Sequence, residues 1–342
     1  MTTHVHFVGS IGLDSTDDVF EAVGATVKSR VKRCPDGEVG GRRLWNSYQW
    51  PVLRATSFLE TATDTAFPGI GLCPLRLKAG TRSEDIHFGE LGYAREARAS
   101  YQDFLAARKR GVIGAETRFQ ICLPTPVAVM AFIVSSDVPK VMPAYEQAMI
   151  HETERICAAI PHADLALQWD VCMEMIQWDG RVPAMPAFPG MEQAFAGAFA
   201  RICAPVPAGV ELGFHLCYGD MDAKHFIQPM DLRKAVELAN LITASVDHPI
   251  SWIHLPVPAD RSDRAYFEPL KDLKRGPRTE VYLGLVHAAD GVEGTLRRMR
   301  AAREFIADFG IATECGISRA RTQETVRALL QVHAAAAQAF EP

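Results

Sequence analysis

Short apolar runs ending in Gly, Pro, Asp or Ser alternate along this chain with longer stretches of helical spacing, and that alternation narrows the fold more than any single motif. Eight such runs occur, over 5–11, 31–35, 119–124, 165–172, 210–218, 250–255, 281–287 and 311–315. Between them lie helix candidates over 16–29, 100–110, 139–160, 191–203, 232–245, 291–309 and 322–339, with a shorter one near 263–273. Asp231 and Thr322 suit N-cap positions. Eight strand-and-helix units in more than about 250 residues is the count of a (β/α)8 TIM barrel. A doubly wound open sheet is the competing arrangement. Against it, the first run is followed by no Gly-x-Gly-x-x-Gly turn, only by Gly9-Ser10-Ile11-Gly12. The expectation is an α/β chain forming one barrel domain over 1–342.

Composition limits the partners. With 48% hydrophobic residues in 342, the chain can bury a large core. No stretch approaches the roughly 20 uninterrupted apolar residues of a membrane-spanning helix, and Met1-Thr2-Thr3-His4 lacks the basic lead-in of a secretory signal. No membrane is expected as a partner. Lys+Arg 36 against Asp+Glu 41 leaves a net charge of −5 with no basic stripe, which argues against nucleic acid. Eight cysteines without a Cys-x-x-Cys pair fit reduced thiols in a cytoplasmic protein.

A barrel gathers its active site at the C-terminal ends of its strands, and the reactive residues fall there. Ser10 ends the first run, Asp36-Gly37-Glu38 follow the second, and Asp170 and Glu174 lie late in or after the fourth. His215 and Cys217 end the fifth run, His254 the sixth, His287 the seventh and Cys315 the eighth. Two residues apart on a strand, His215 and Cys217 point the same way about 7 Å apart. That is close enough to grip one metal ion, with Cys315 as a further sulfur; a buried His/Cys pair without metal is the other reading. The stretch 39–100 after the second run is an insertion rich in aromatics, among them Trp45, Tyr48, Trp50, Phe58, Phe67 and Phe88. It reads either as a lid or substrate wall on the catalytic face or as a small packed subdomain.

These residues resemble the catalytic barrel of cobalamin-independent methionine synthase and its relatives. Val8-Gly9-Ser10 is similar to the family's opening strand end, Asp36-Gly37-Glu38 to its Asp-Gly-Glu turn, and Gln168-Trp169-Asp170 to its Gln-x-Asp strand. His215-Leu216-Cys217-Tyr218 is similar to its His-x-Cys zinc motif, Val286-His287 to the strand of its acid histidine, and Cys315-Gly316-Ile317 to its last zinc cysteine. The resemblance implies a zinc enzyme that activates a small thiol acceptor and transfers a methyl or alkyl group to it, with a folate as a methyl donor. It implies His215, Cys217 and Cys315 as zinc ligands and Ser10, Glu38 and Asp170 in the acceptor pocket. Trp169 and Trp45 are expected as further substrate contacts, and His287, Asp170 and Glu38 as catalytic groups.

The chain also departs from the family. A Glu ligand at the end of the sixth strand is replaced here by Trp252-Ile253-His254-Leu255, so His254 stands as a fourth ligand or a substrate contact. Gln-x-Asp-Glu-Pro becomes Gln168-Trp169-Asp170-Val171-Cys172, which loses a carboxylate and argues against homocysteine as the acceptor. A lyase, decarboxylase or hydrolase acting on a small carboxylate or aromatic substrate is the competing reading. A homodimer is a further expectation.

Overall fold

The computed structural model of the protein describes residues 2–64, 72–220 and 223–340, so Phe67 of the insertion falls outside the described residues. Strands β1 (Arg33–Pro35), β4 (Arg118–Pro124), β5 (Leu165–Val171), β6 (Glu211–Leu216), β7 (Ile250–Pro256), β8 (Glu280–Val286) and β9 (Gly310–Thr313) form one sheet in that order. Every neighbouring pair in it is parallel. Two further strands, β2 (Leu59–Thr61) and β3 (Leu75–Leu77), pair antiparallel after β1. Val5 forms parallel bridges with both Val31 and Ile311, while Ser10 bridges Gly37 and Ile11 bridges Ile317. Both outer margins of the sheet thus meet the same N-terminal segment, and the sheet is curled.

Helices α1 (Thr16–Val27), α2 (Gln49–Arg54), α3 (Tyr93–Lys109), α4 (Pro126–Met130), α5 (Val138–Ala159), α6 (Met173–Asp179), α7 (Met191–Cys203), α8 (Arg233–Ser245), α9 (Arg264–Phe267), α10 (Gly291–Arg303) and α11 (Gln323–Ala339) surround it. No helix of the described residues is long and apolar enough to cross a membrane. Thr322 caps α11 by accepting from the Thr325 amide. Asp231 sits one position further out than expected and accepts from the Arg233 amide at 2.8 Å.

Three elements differ from the expectation. The run 5–11 makes isolated bridges rather than a strand, because Gly9 adopts φ +136°. That conformation breaks the ladder and suits glycine, and a Cβ there would press on Cys122 Sγ at 3.2 Å. Helix α3 begins at Tyr93 rather than 100, since the buried Glu152 carboxylate of α5 accepts from the Leu91 and Ala94 amides at 3.1 and 2.7 Å. A side chain far along the chain thereby satisfies amides that a helix start leaves open. Helix α10 stops at Arg303, although Phe305, Ile306 and Phe309 prolong the helical spacing, because the chain there turns into β9.

Inside the curl the side chains stack in polar layers. At the floor, buried Arg33 pairs with Glu211 and, at 2.8 Å, with Glu280, and its guanidinium lies 4.3 Å over the Trp252 ring. Above it, Gln168 accepts from Trp252 Nε1 at 3.2 Å and meets His6 Nε2 at 2.9 Å, and His6 stacks on Tyr282. Gly213 makes room for this layer, since a Cβ there would lie 2.0 Å from the Trp252 ring. The topmost layer carries Asp170, His215 and His254, which register places side by side across β5, β6 and β7.

Candidate metal centre

His215 lies in β6, Cys217 just past its end, and Cys315 two residues past β9. All three are buried, and their ligand-type atoms lie within 4.8 Å of one another. They form part of the wall of a cavity of about 600 Å³ whose other lining residues include Ser10, Glu38, Trp45 and Asp170. Parallel strands ending together deliver this convergence, since each contributes its last inward residue to one mouth.

A hydrogen-bonded series fixes the His215 ring. The Thr313 carbonyl can only accept, so His254 Nε2, 3.0 Å away, donates to it. Burial holds the His254 pKa down to about 3, so its ring is neutral and Nδ1 carries a lone pair. His215 Nδ1, 2.8 Å from that atom, therefore donates. Burial and the neighbouring His254 also hold His215 well below the ordinary histidine range, which leaves its Nε2 unprotonated. That atom is buried and has no hydrogen-bond partner. An orphaned imidazole nitrogen beside two thiols is the donor set that zinc takes, and the residues fit a metal ion. Both ring nitrogens of His254, read from the sequence as a fourth ligand or a substrate contact, are engaged here, one on a carbonyl and one on His215.

Opposite the thiols stand two carboxyl groups. Burial, opposed in part by Arg42, pushes Glu38 up to about 7, and burial together with Glu38 pushes Asp170 well above the ordinary range. Asp170 accepts from Gln168 Nε2 at 2.9 Å and from Trp45 Nε1 at 3.0 Å. Glu38 and Trp45 both adopt left-handed backbone, at φ 50° and 53°. Such conformations cost on the order of 1–3 kcal/mol each and cluster at functional sites.

Two expected site residues do not reach the cavity. On β5, Gln168 and Asp170 face inward, so the alternation of a strand turns Trp169 outward, where it is 1% exposed within the main core. The parity of Gln168 and Asp170 could have revealed this from sequence. His287 is absent from the cavity wall; its Nε2 donates to the Val257 carbonyl at 2.8 Å, and Nδ1 lies 3.9 Å from Glu314. Burial, with Arg298 adding to it, holds its pKa down to about 4. A neutral ring so placed ties the loop after β8 to the loop carrying Val257. His287→Gln is expected to leave metal content and turnover close to wild type while lowering stability by about 1 kcal/mol, the worth of one hydrogen bond. Thermal unfolding alongside an activity assay checks this.

Sequence reasoning missed Arg319, which lines the cavity with its Nη2 3.7 Å from Cys315 Sγ and 3.5 Å from Asp220, and passed over the thiol of Cys172, also in the wall.

No protein-family model and no curated protein sequence matches this chain. Among solved structures, a protein from Listeria monocytogenes assigned as a vitamin-B12-independent methionine synthase is similar with a TM-score of 0.60 and 12% identity over 100% of both chains. A B12-independent methionine synthase from Shewanella sp. W3-18-1, in complex with selenomethionine, is similar with a TM-score of 0.54 and 14% identity, over 78% of this chain and 70% of that one. A methyltransferase from Methanosarcina mazei is similar with a TM-score of 0.51 and 10% identity, over 97% and 93%. At these identities the likeness is one of fold.

Proposed function

We propose that this chain is a zinc-dependent transferase that moves a methyl or other alkyl group onto a small thiol, in a barrel whose eighth stave is the segment 5–11. The observation that carries this reading is the convergence of His215, Cys217 and Cys315 within 4.8 Å in the wall of a cavity that also holds two buried carboxyl groups. Zinc held there would stabilise a substrate thiolate near neutral pH without redox chemistry, where a free thiol of pKa about 8.5 is mostly protonated.

The chain's own residues supply the rest. Glu38 and Asp170 are acceptors suited to a cationic group on the acceptor, such as an ammonium, and Trp45 and Gln168 fix the Asp170 oxygens in place. Leu44, Leu72, Phe132 and Phe226 give the cavity an apolar part of its lining suited to the alkyl portions of the substrates. The alkyl donor enters the same cavity, and a methyl-folate is one donor of the required kind.

The test is zinc analysis paired with alkyl transfer from a methyl-folate and from simpler alkylating agents to a panel of thiols with and without an amino group. Turnover of an oxygen or carboxylate substrate with no thiol alkylated would sink the reading. Glu38→Gln is expected to raise KM for amino-thiols by about 10- to 100-fold, the worth of a hydrogen bond to a charged group, and to leave plain thiols little affected. Equal effects on both classes would remove Glu38 from amine recognition.

His254 is a positioning residue in this scheme. His254→Leu leaves the His215 tautomer unfixed and is expected to weaken zinc affinity about 10- to 100-fold, read by competition with a chelator. His254→Gln, whose amide oxygen can accept from Nδ1, should recover part of that loss. Equal affinity in both variants and wild type would show that the tautomer is set elsewhere.

A further inference from the structure

We propose that Cys172 is the fourth protein donor of this centre, so that the metal is held by three sulfurs and one imidazole nitrogen. The inference rests on the reading of His215, Cys217 and Cys315 as a metal site.

Cys172 lies between the end of β5 and the start of α6, is 1% exposed, and belongs to the cavity wall. It packs in one small cluster with Cys217 and Cys315, apart from the main core. Three thiols thus share one patch of the cavity wall, packed with Ile176. The chain's Cys34, Cys157 and Cys203 instead sit singly in the main core.

Several donor groups at this mouth are already engaged, and the Glu38 carboxyl, also in the wall, is the oxygen alternative that a sulfur count distinguishes from Cys172. His254 spends both ring nitrogens, Asp170 receives Gln168 and Trp45 on its two oxygens, and Asp220 is paired with Arg319 and Arg321. Cys172 packs against Cys217 and Cys315 without belonging to the group whose atoms lie within 4.8 Å, so its sulfur has to move towards them when metal binds.

Charge favours the same assignment. Two thiolates and a neutral imidazole would leave a divalent ion neutral, whereas a third thiolate leaves the centre at −1. Arg319 Nη2 lies 3.7 Å from Cys315 Sγ. Buried charges persist where they are matched, and this guanidinium is a partner for a centre of negative charge. A sulfur-rich set of this kind selects zinc over magnesium or calcium.

X-ray absorption at the zinc edge of the zinc-loaded, substrate-free protein tests this directly. Three sulfurs and one nitrogen per zinc are expected, with the sulfur count falling from three to two in Cys172→Ser. Two sulfurs in the wild type with stoichiometric zinc would overturn the role of Cys172 and leave the three-residue site standing. Failure of the wild type to hold zinc at all would overturn both. The wild-type count decides by itself, so a poorly folding variant does not blunt the test.

Discussion

Cys217→Ser combined with Cys315→Ser is expected to abolish zinc retention. The two sulfurs are two of the three donors whose atoms lie within 4.8 Å of one another, and a serine hydroxyl does not ionise to replace a thiolate. Zinc sites of this ligand class are worth on the order of 10–16 kcal/mol in small peptides, so losing two anionic donors takes the affinity below what survives dialysis. Elemental analysis after dialysis reads the outcome directly. A second readout is thermal: wild type should gain about 4 kcal/mol of stability at zinc concentrations a thousand times Kd, and the double variant none. Full zinc retention by the double variant would place the metal elsewhere.

The second large effect is on acid stability, measured as unfolding of the metal-free protein from pH 3 to 8. Two opposed sets of buried groups decide it. Burial raises Glu38 and Glu174 to about 7 and Glu314 to about 8, against an ordinary 4.5. The folded state binds those protons more tightly than the unfolded chain does, so stability rises as pH falls from about 8 to 4.5. Burial lowers His254 to about 3 and His287 and His333 to about 4, against an ordinary 6.5. The unfolded chain takes those protons first, so stability falls as pH drops from 6.5 through the folded values.

Each displacement of this size corresponds to about 3 kcal/mol. Asp170 joins the raised carboxyl groups, and His6, His215 and His225 join the lowered histidines, so the carboxyl gain offsets only part of the histidine loss below pH 6.5. Below about pH 4.5 the carboxyl gain is exhausted while the histidine loss continues. Glu280, held at about 2 by Arg33 and Lys32 against the pull of burial, also begins to take up its proton. The expected profile declines gently below about pH 6.5 and falls steeply below about 4.5. His333→Leu should recover about 3 kcal/mol at low pH, since it removes a ring whose Nε2 is buried without a partner. A decline equally steep from pH 6.5 downward would show that the carboxyl groups carry no opposing share.

What could be read from the sequence was whatever depends on neighbours along the chain. Strand and helix alternation is local, so seven of the eight runs become strands of one parallel sheet, and a His and a Cys two apart at a strand end were bound to face the same mouth. What could not be read depends on partners far away. Glu152 starting α3 from 58 residues beyond Ala94 leaves no local mark. Nothing near His254 reveals that the Thr313 carbonyl occupies one of its nitrogens. His287 follows a strand as His254 ends one, yet the loop carrying Val257 draws its ring away from the cavity. Cys172 stood only where the family's motif has Pro, and only three-dimensional proximity to Cys217 gives its sulfur a meaning.

Trp45 ties the stretch after β1 to the site through a single indole N–H, at a backbone conformation that costs energy to hold. Coupling of this kind is reciprocal: a ligand that strengthens the hold of Asp170 on the indole tightens the 40–48 segment, and one that competes for the same carboxylate oxygen loosens it by an equal free energy. The chain therefore carries a built-in reporter, since the protease sensitivity of that segment must move with occupancy of the cavity, in the direction set by how the occupant treats one oxygen atom.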